Sequence, residues 1–164
     1  MKKNKVFFCF ILFVILLGFI NISCDNGNTS SITIDKNLNG TWVHSIYYEE
    51  FDSESVTEVT FIDGNFEWKI FIDKIENPFC KGTYTTNNGI INLRVIYVHG
   101  DYLSMWFNQI NRQIWYTRAE AIQHVNDIDY QTSVDITSFF SNVNDTYSIH
   151  NNKLTFQEIE YTRK

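Results

Sequence analysis

The sequence predicts an all-β domain, an antiparallel meander that closes into a barrel of roughly eight strands and carries one short helix. Apolar and polar residues alternate in short runs from Gly40 onward, which is typical of strands with one buried face. Two-residue turn signals such as Asp63-Gly64 separate those runs. A sheet with this many strands and one aromatic-rich face curls and closes, because closure removes its exposed edges.

The N-terminal residues 1–23 predict a cleaved secretory signal peptide. Three of the first five residues are lysines, an apolar run from Val6 to Ile20 follows, and Ser23 precedes Cys24. A membrane-spanning helix needs about 20 apolar residues, and Asn21 ends the strict run early. We therefore expect cleavage rather than an uncleaved membrane anchor.

The segment from Asn21 to Cys24 resembles the lipobox of bacterial lipoproteins, whose cysteine is lipidated and becomes the first residue of the mature chain. The resemblance implies lipidation of Cys24 and attachment to a membrane of the bacterial cell envelope, with the choice of inner or outer membrane left open. Residues 24–36 would then comprise the lipidated cysteine and a polar, flexible tether. The alternative is an ordinary signal peptide with a cysteine after it by chance.

Charge and composition exclude several classes of protein. Without the signal, 10 basic side chains face 19 acidic ones, a net charge of −9, which disfavours nucleic-acid binding. With 44% apolar residues in the full chain, disorder is a poor description. Residues 37–164 are enough for one domain, and Cys80 is the single cysteine within it, so no internal disulfide is available.

The first half of this domain predicts three strands. The first places Trp42, His44, Ile46 and Tyr48 on one face. The second and third are joined by the Asp63-Gly64 hairpin turn. The inward-facing residues expected from these two strands are Val59, Phe61, Phe66, Trp68, Ile70 and Ile72.

The second half predicts further strands around two more turns. Runs at 82–86 and 90–99 flank Asn88-Gly89, with Ile91, Leu93, Val95 and Tyr97 expected on one face. Strands are also expected at 102–107 and around Trp115. The turn Asn151-Asn152 is expected to join the strands 145–150 and 153–161.

One segment departs from the strand pattern. Thr117 and Glu120 have the spacing of a capping box and predict a helix of about two turns over 119–125. Residues 126–144 are expected to form a long connection packed on the barrel.

The sequence around Trp42 resembles the Gly-x-Trp signature of lipocalins. Together with the Asp-Gly hairpin, Lys81 to Tyr84 and the closing Tyr161-Thr162-Arg163, it makes residues 37–164 similar to the lipocalin-like domain of bacterial lipoproteins. The resemblance implies that Trp42 plugs one end of the barrel and that Arg163 packs across its ring. It implies a fold more strongly than a function, because such barrels serve many functions.

No motif predicts an enzyme. The histidines at 44, 99, 124 and 150 are too far apart for a zinc motif, and no nucleophile elbow or phosphate-binding loop occurs. Cys80 is interpreted as a small packed residue rather than a nucleophile. We therefore expect no catalytic residue, metal or cofactor.

Two functions agree with these residues. In the first, the barrel binds a small hydrophobic molecule or lipid. In the second, aromatic side chains fill the barrel and its acidic exterior contacts another envelope or host protein. The residues expected to line the cavity in the first case, besides Trp42, are His44, Ile46, Tyr48, Phe66, Trp68, Leu93, Val95, Met105 and Phe107.

Overall fold

A computed structural model describes residues 33–107, 110–126 and 135–164. The predicted signal peptide, Cys24, most of the predicted tether and part of the predicted connection 126–144 lie outside the described residues. The described chain forms an antiparallel sheet of nine strands, eight of which close into a barrel, and this confirms the predicted fold class. The strands are β1 (Gly40–Tyr48), β2 (Ser53–Ile62), β3 (Asn65–Ile72), β4 (Ile75–Asn87), β5 (Ile90–His99), β6 (Trp115–Thr117), β7 (Val143–His150), β8 (Lys153–Phe156) and β9 (Ile159–Arg163).

The barrel is an up-and-down meander that leaves out β6. Neighbouring strands in the ring follow chain order from β1 to β5 and from β7 to β9, and β9 pairs with β1. Two residue pairs form this closing seam, Trp42 with Arg163 and Val43 with Thr162. Strand β6 lies outside the ring and pairs with β5 over Tyr97–His99.

Three hairpin turns agree with their sequence signals. Both residues of Asp63-Gly64, of Asn88-Gly89 and of Asn151-Asn152 have positive φ, as tight two-residue turns require. The prediction of a single strand over 153–161 is wrong, because Gln157 and Glu158 form another such turn, with φ of 52° and 62°. Neither residue type favours this conformation, so the cross-strand pairing of β8 with β9 must hold the turn.

Two helices follow β5 and β6. Helix α1 (Gly100–Leu103) overlaps residues 102–107, for which a strand was expected. The prediction of that strand is therefore wrong. Leu103 and Phe107 are buried and are spaced four residues apart, whereas Met105 between them is exposed, a helical rather than an alternating pattern. Helix α2 (Arg118–Asn126) is the predicted helix.

The predicted capping box begins α2. The Thr117 backbone N–H donates to the Glu120 carboxylate at 2.8 Å, and the Glu120 N–H donates to the Thr117 hydroxyl at 3.3 Å. These two bonds satisfy backbone donors that the first turn of a helix leaves free.

A β-bulge changes which residues of β5 face inward. Gly82 pairs with Val95 whereas Lys81 pairs with Tyr97, so Ile96 is an extra residue on β5. Tyr97 therefore faces outward, contrary to the predicted alternation, and Val98 faces the core.

The bulge also explains why position 82 is a glycine. A Cβ atom at Gly82 would lie 1.9 Å from the carbonyl oxygen of Arg94 on the adjacent strand. Since this oxygen belongs to the backbone, a side chain at position 82 would force β4 and β5 apart.

We predict that Gly82→Ala lowers the free energy of unfolding by at least about 2 kcal/mol, because the added methyl group overlaps the Arg94 carbonyl. Urea unfolding measures the loss. The control is Thr85→Ala on the outer face of β4, expected to change stability by less than about 1 kcal/mol. Equal stability of Gly82→Ala and the native chain would contradict the description of the bulge.

Candidate functional site

The first candidate site is the ligand cavity predicted inside the barrel. Phe66, Trp68, Leu93 and Phe107 are brought together in the core, and none exposes more than 5% of its surface. A void of ligand size would leave its lining side chains with surface that a water-sized sphere can reach. These four side chains therefore pack against protein and not against a ligand-sized void inside the barrel.

The other predicted cavity residues do not share this environment. Ile46 is 37% exposed and Met105 is 40% exposed, so the structure places both outside the packed interior. Ile46 lies on β1 beyond Val43, where the pairing with β9 ends, and Met105 lies in the turn after α1. His44, Tyr48 and Val95 are half-buried.

His44 extends the seam where the backbone pairing stops. Its Nδ1 lies 2.9 Å from the Glu160 carbonyl oxygen, and because a carbonyl oxygen only accepts, Nδ1–H is the donor. The imidazole also meets the Tyr161 ring edge-on, with the ring centroids 5.8 Å apart. Its geometry is that of a structural residue that joins β1 to β9.

Trp42 lies near one end of the barrel, as the third residue of β1. Its indole N–H donates to the Leu38 carbonyl oxygen at 2.8 Å, and its side chain is fully buried. The Arg163 guanidinium carbon lies 4.4 Å from the Trp42 ring centroid, within the range of a cation–π contact. Arg163 also donates to the Asn37 carbonyl oxygen, so the guanidinium ties the segment before β1 to the end of β9.

Aromatic rings continue from the interior to the opposite end. Trp68 in the barrel contacts Phe79, Phe79 contacts Tyr102 after β5, and Tyr102 contacts Phe139, with centroid separations of 5.9, 4.3 and 5.6 Å. Phe139 lies in the 3₁₀ turn Ile136–Phe140, within the predicted connection 126–144. The segments between β5 and β7 therefore cover this end of the barrel with aromatic side chains.

A polar contact fixes the segment that precedes β1. The Tyr147 hydroxyl donates to Asp35 at 2.9 Å, and Thr33 pairs with Thr86 through an isolated bridge. Burial, together with the hydrogen bond to Asp35, raises the pKa of Tyr147 to about 12. The hydroxyl consequently keeps its proton at neutral pH and remains a donor.

The outer surface has a groove beside the β4–β5 bulge, hereafter the outer groove. Lys81 Nζ lies 4.2 Å from the Trp115 ring centroid and 5.4 Å from that of Tyr97. The volume of the groove is about 340 Å³. Its lining consists of Thr60, Ile62, Asn65, Phe66, Glu67, Lys81, Gly82, Ile96 and Tyr97.

Sequence patterns did not indicate the outer groove. Lys81 and Trp115 lie far apart in the chain, and they meet because β6 pairs with the end of β5. Tyr97 joins them on the outer face because of the bulge. The Lys81-Gly82 pair was the one available signal, since glycine within a strand often marks a bulge.

The remaining candidates are Cys80 and the side chains that could ligate a metal ion. Cys80 is 2% exposed, and burial raises the pKa of its thiol, so the reactive thiolate is disfavoured. Among the described residues, no group of three or more His, Cys, Asp or Glu side chains is placed to hold a metal ion.

Comparison with known proteins found no matching family model, no matching curated protein and no matching solved structure. Within the described ranges, no helix is both long and apolar enough to cross a membrane.

We predict that Trp42 and Arg163 are energetically coupled. Trp42→Ala and Arg163→Ala should each destabilise the barrel. The loss of unfolding free energy in the double variant should be smaller than the sum of the two single losses. We expect the difference to be about 0.5 to 2 kcal/mol, the value of a cation–π contact. Urea unfolding of the four proteins of the cycle measures this coupling. Strictly additive losses would show that the contact contributes nothing to closure.

Proposed function

We propose that this chain is a membrane-anchored bacterial lipoprotein with a lipocalin-like barrel, and that the barrel serves as a protein-interaction module of the cell envelope. The packing of Phe66, Trp68, Leu93 and Phe107, none more than 5% exposed, carries the proposal. A barrel filled by its own side chains recognises partners with its exterior.

The outer groove is the surface best suited to a partner. Ile62 in its lining is 59% exposed, and Ile96 and Tyr97 add further apolar surface beside it. Two polar groups on its rim, Glu67 and Lys81, can fix the orientation of what binds. The groove has the volume of a few side chains, enough for the apolar anchor of a partner's segment.

Charge identifies the kind of partner. The chain after the signal carries 10 basic and 19 acidic side chains, so a basic protein is attracted to it and an acidic one is repelled. We therefore propose a basic envelope or host protein that inserts an apolar side chain next to Ile62. Such an association weakens as the salt concentration rises.

The proposed anchor would present the barrel in a defined way. The described chain begins with Thr33, which pairs with Thr86 at the Trp42 end of the barrel. A tether from Cys24 to Thr33 spans at most about 30 Å when fully extended. The tether would accordingly join the barrel at its Trp42 end.

The alternative function, binding of a small hydrophobic molecule inside the barrel, stays a prediction. It requires the buried side chains named above to move apart and create the space. The partner hypothesis requires no such rearrangement.

Photo-crosslinking tests the outer groove. We expect a photoreactive residue at position 62 of the full chain to give, in its native cells, one discrete adduct whose yield falls with added salt. The matched control is position 75, since Ile75 is also an exposed strand isoleucine, 67% exposed, and it is not part of the groove. Equal labelling from both positions, or no adduct from position 62, would contradict the assignment.

The lipid anchor has a separate test. Cys24→Ala should abolish incorporation of radiolabelled palmitate, because it removes the thiol that would be acylated. Cys9→Ala serves as the matched control and should leave labelling intact if the precursor is still exported. Continued labelling of Cys24→Ala would show that Cys24 is not the acylated residue.

A further inference from the structure

The edge of β5 changes partners partway along its length. This edge pairs with β7 over Ile90–Leu93 and with β6 over Tyr97–His99. Between these two stretches, residues 94–96 have no ladder partner on this edge within the described chain. Because the backbone groups of successive strand residues point to opposite edges, at least one residue of this stretch presents its N–H and C=O to the gap. We call this gap the strand fork.

A pocket of about 470 Å³ occupies the strand fork. Arg94 on β5 and Arg118 at the start of α2 both line it, although the mature chain carries an excess of acidic side chains. The remaining lining consists of Val95, Ile96, Thr137, Phe140, Ser141 and Asn142.

The two arginines are exposed and form no close ion pair within the described chain. Among the described residues, the ion pairs involve Lys69, Arg112, Lys153 and Lys164, and neither Arg94 nor Arg118 lies within 4.0 Å of a carboxylate. The nearby acid is Asp135, whose carboxylate accepts hydrogen bonds from the backbone N–H and the hydroxyl of Thr137. These bonds, with a smaller contribution from the positive charge of Arg118, lower the pKa of Asp135. Two positive charges that line one pocket attract an anion to it.

Hydrogen-bonding capacity points to the same ligand class. A guanidinium group only donates, and it matches the oxygens of a carboxylate or phosphate in a two-pronged geometry. The hydroxyl of Ser141 and the amide of Asn142 add donors to the same lining. The pocket volume exceeds that of the anionic group alone, and Phe140 with Ile96 supplies apolar surface for an organic remainder.

We infer that the strand fork is a binding site for a small organic oxyanion, a phosphate ester or a carboxylate, held between Arg94 and Arg118. This site shares Ile96 with the outer groove and is otherwise lined by different residues, and it does not depend on the proposed function. The residues that define it come from three parts of the chain, namely β5, the start of α2 and the segment before β7.

Isothermal titration calorimetry on the full-length chain in a non-ionic detergent tests the inference, with phenyl phosphate, benzoate and inorganic phosphate as probes. We expect saturable binding of one equivalent of phenyl phosphate or benzoate, with the tighter of the two identifying the anionic group. Inorganic phosphate should bind more weakly because it lacks the apolar part. Absence of saturable binding by both organic probes would overturn the inference.

Variants then locate the site. Arg94→Gln and Arg118→Gln should each weaken binding by about tenfold or more, the range for a charged hydrogen bond, and Arg94→Lys should weaken it less than Arg94→Gln. The matched control is Arg112→Gln, because Arg112 is an exposed arginine that pairs with Asp101 and does not line the pocket. Unfolding midpoints establish that each variant is folded. An equal loss of affinity in Arg112→Gln would overturn the inference, since it would show that overall charge and not the strand fork attracts the anion.

Discussion

Closure of the sheet between β1 and β9 is the constraint on which the rest of the structure depends. Two residue pairs form the backbone seam, and three side-chain contacts extend it: Arg163 over Trp42, Arg163 with the Asn37 carbonyl, and His44 with the Glu160 carbonyl. An open sheet would expose the aromatic inner face and two strand edges to water. With the seam closed, the eight strands enclose a space that large side chains occupy.

The two surface features proposed for recognition lie where the strand ladder is irregular. Both surface features described above lie on β5. The bulge at Gly82 turns Tyr97 outward, where its ring and that of Trp115 flank Lys81. The strand fork lies where the edge of β5 changes its partner from β7 to β6, and Arg94 and Arg118 line it. Regular pairing along β5 would remove both features. Bulges are over-represented next to active sites in sheet proteins.

Features of the structure that depend on residues close together in the chain could be predicted from the sequence, whereas features that depend on distant residues could not. Turns such as Asp63-Gly64 and the Thr117–Glu120 capping box are set by residues adjacent in the chain, and they were predicted correctly. The Gln157-Glu158 turn was missed because strand pairing rather than residue preference holds it. The outer groove and the strand fork were missed because their residues come from distant segments, and spacing along the chain carries no record of such tertiary contacts.

The central claim, that the barrel is filled by its own side chains, is tested most directly by titrating a fluorescent fatty acid into the soluble fragment from Asp25 onward while following tryptophan emission. Trp68 lies in the packed interior, so a ligand that entered the barrel would quench it. We predict no saturable quenching at fatty acid concentrations below micelle formation. Saturable quenching with one equivalent, lost in Trp68→Phe, would contradict it and would establish the barrel as a ligand carrier.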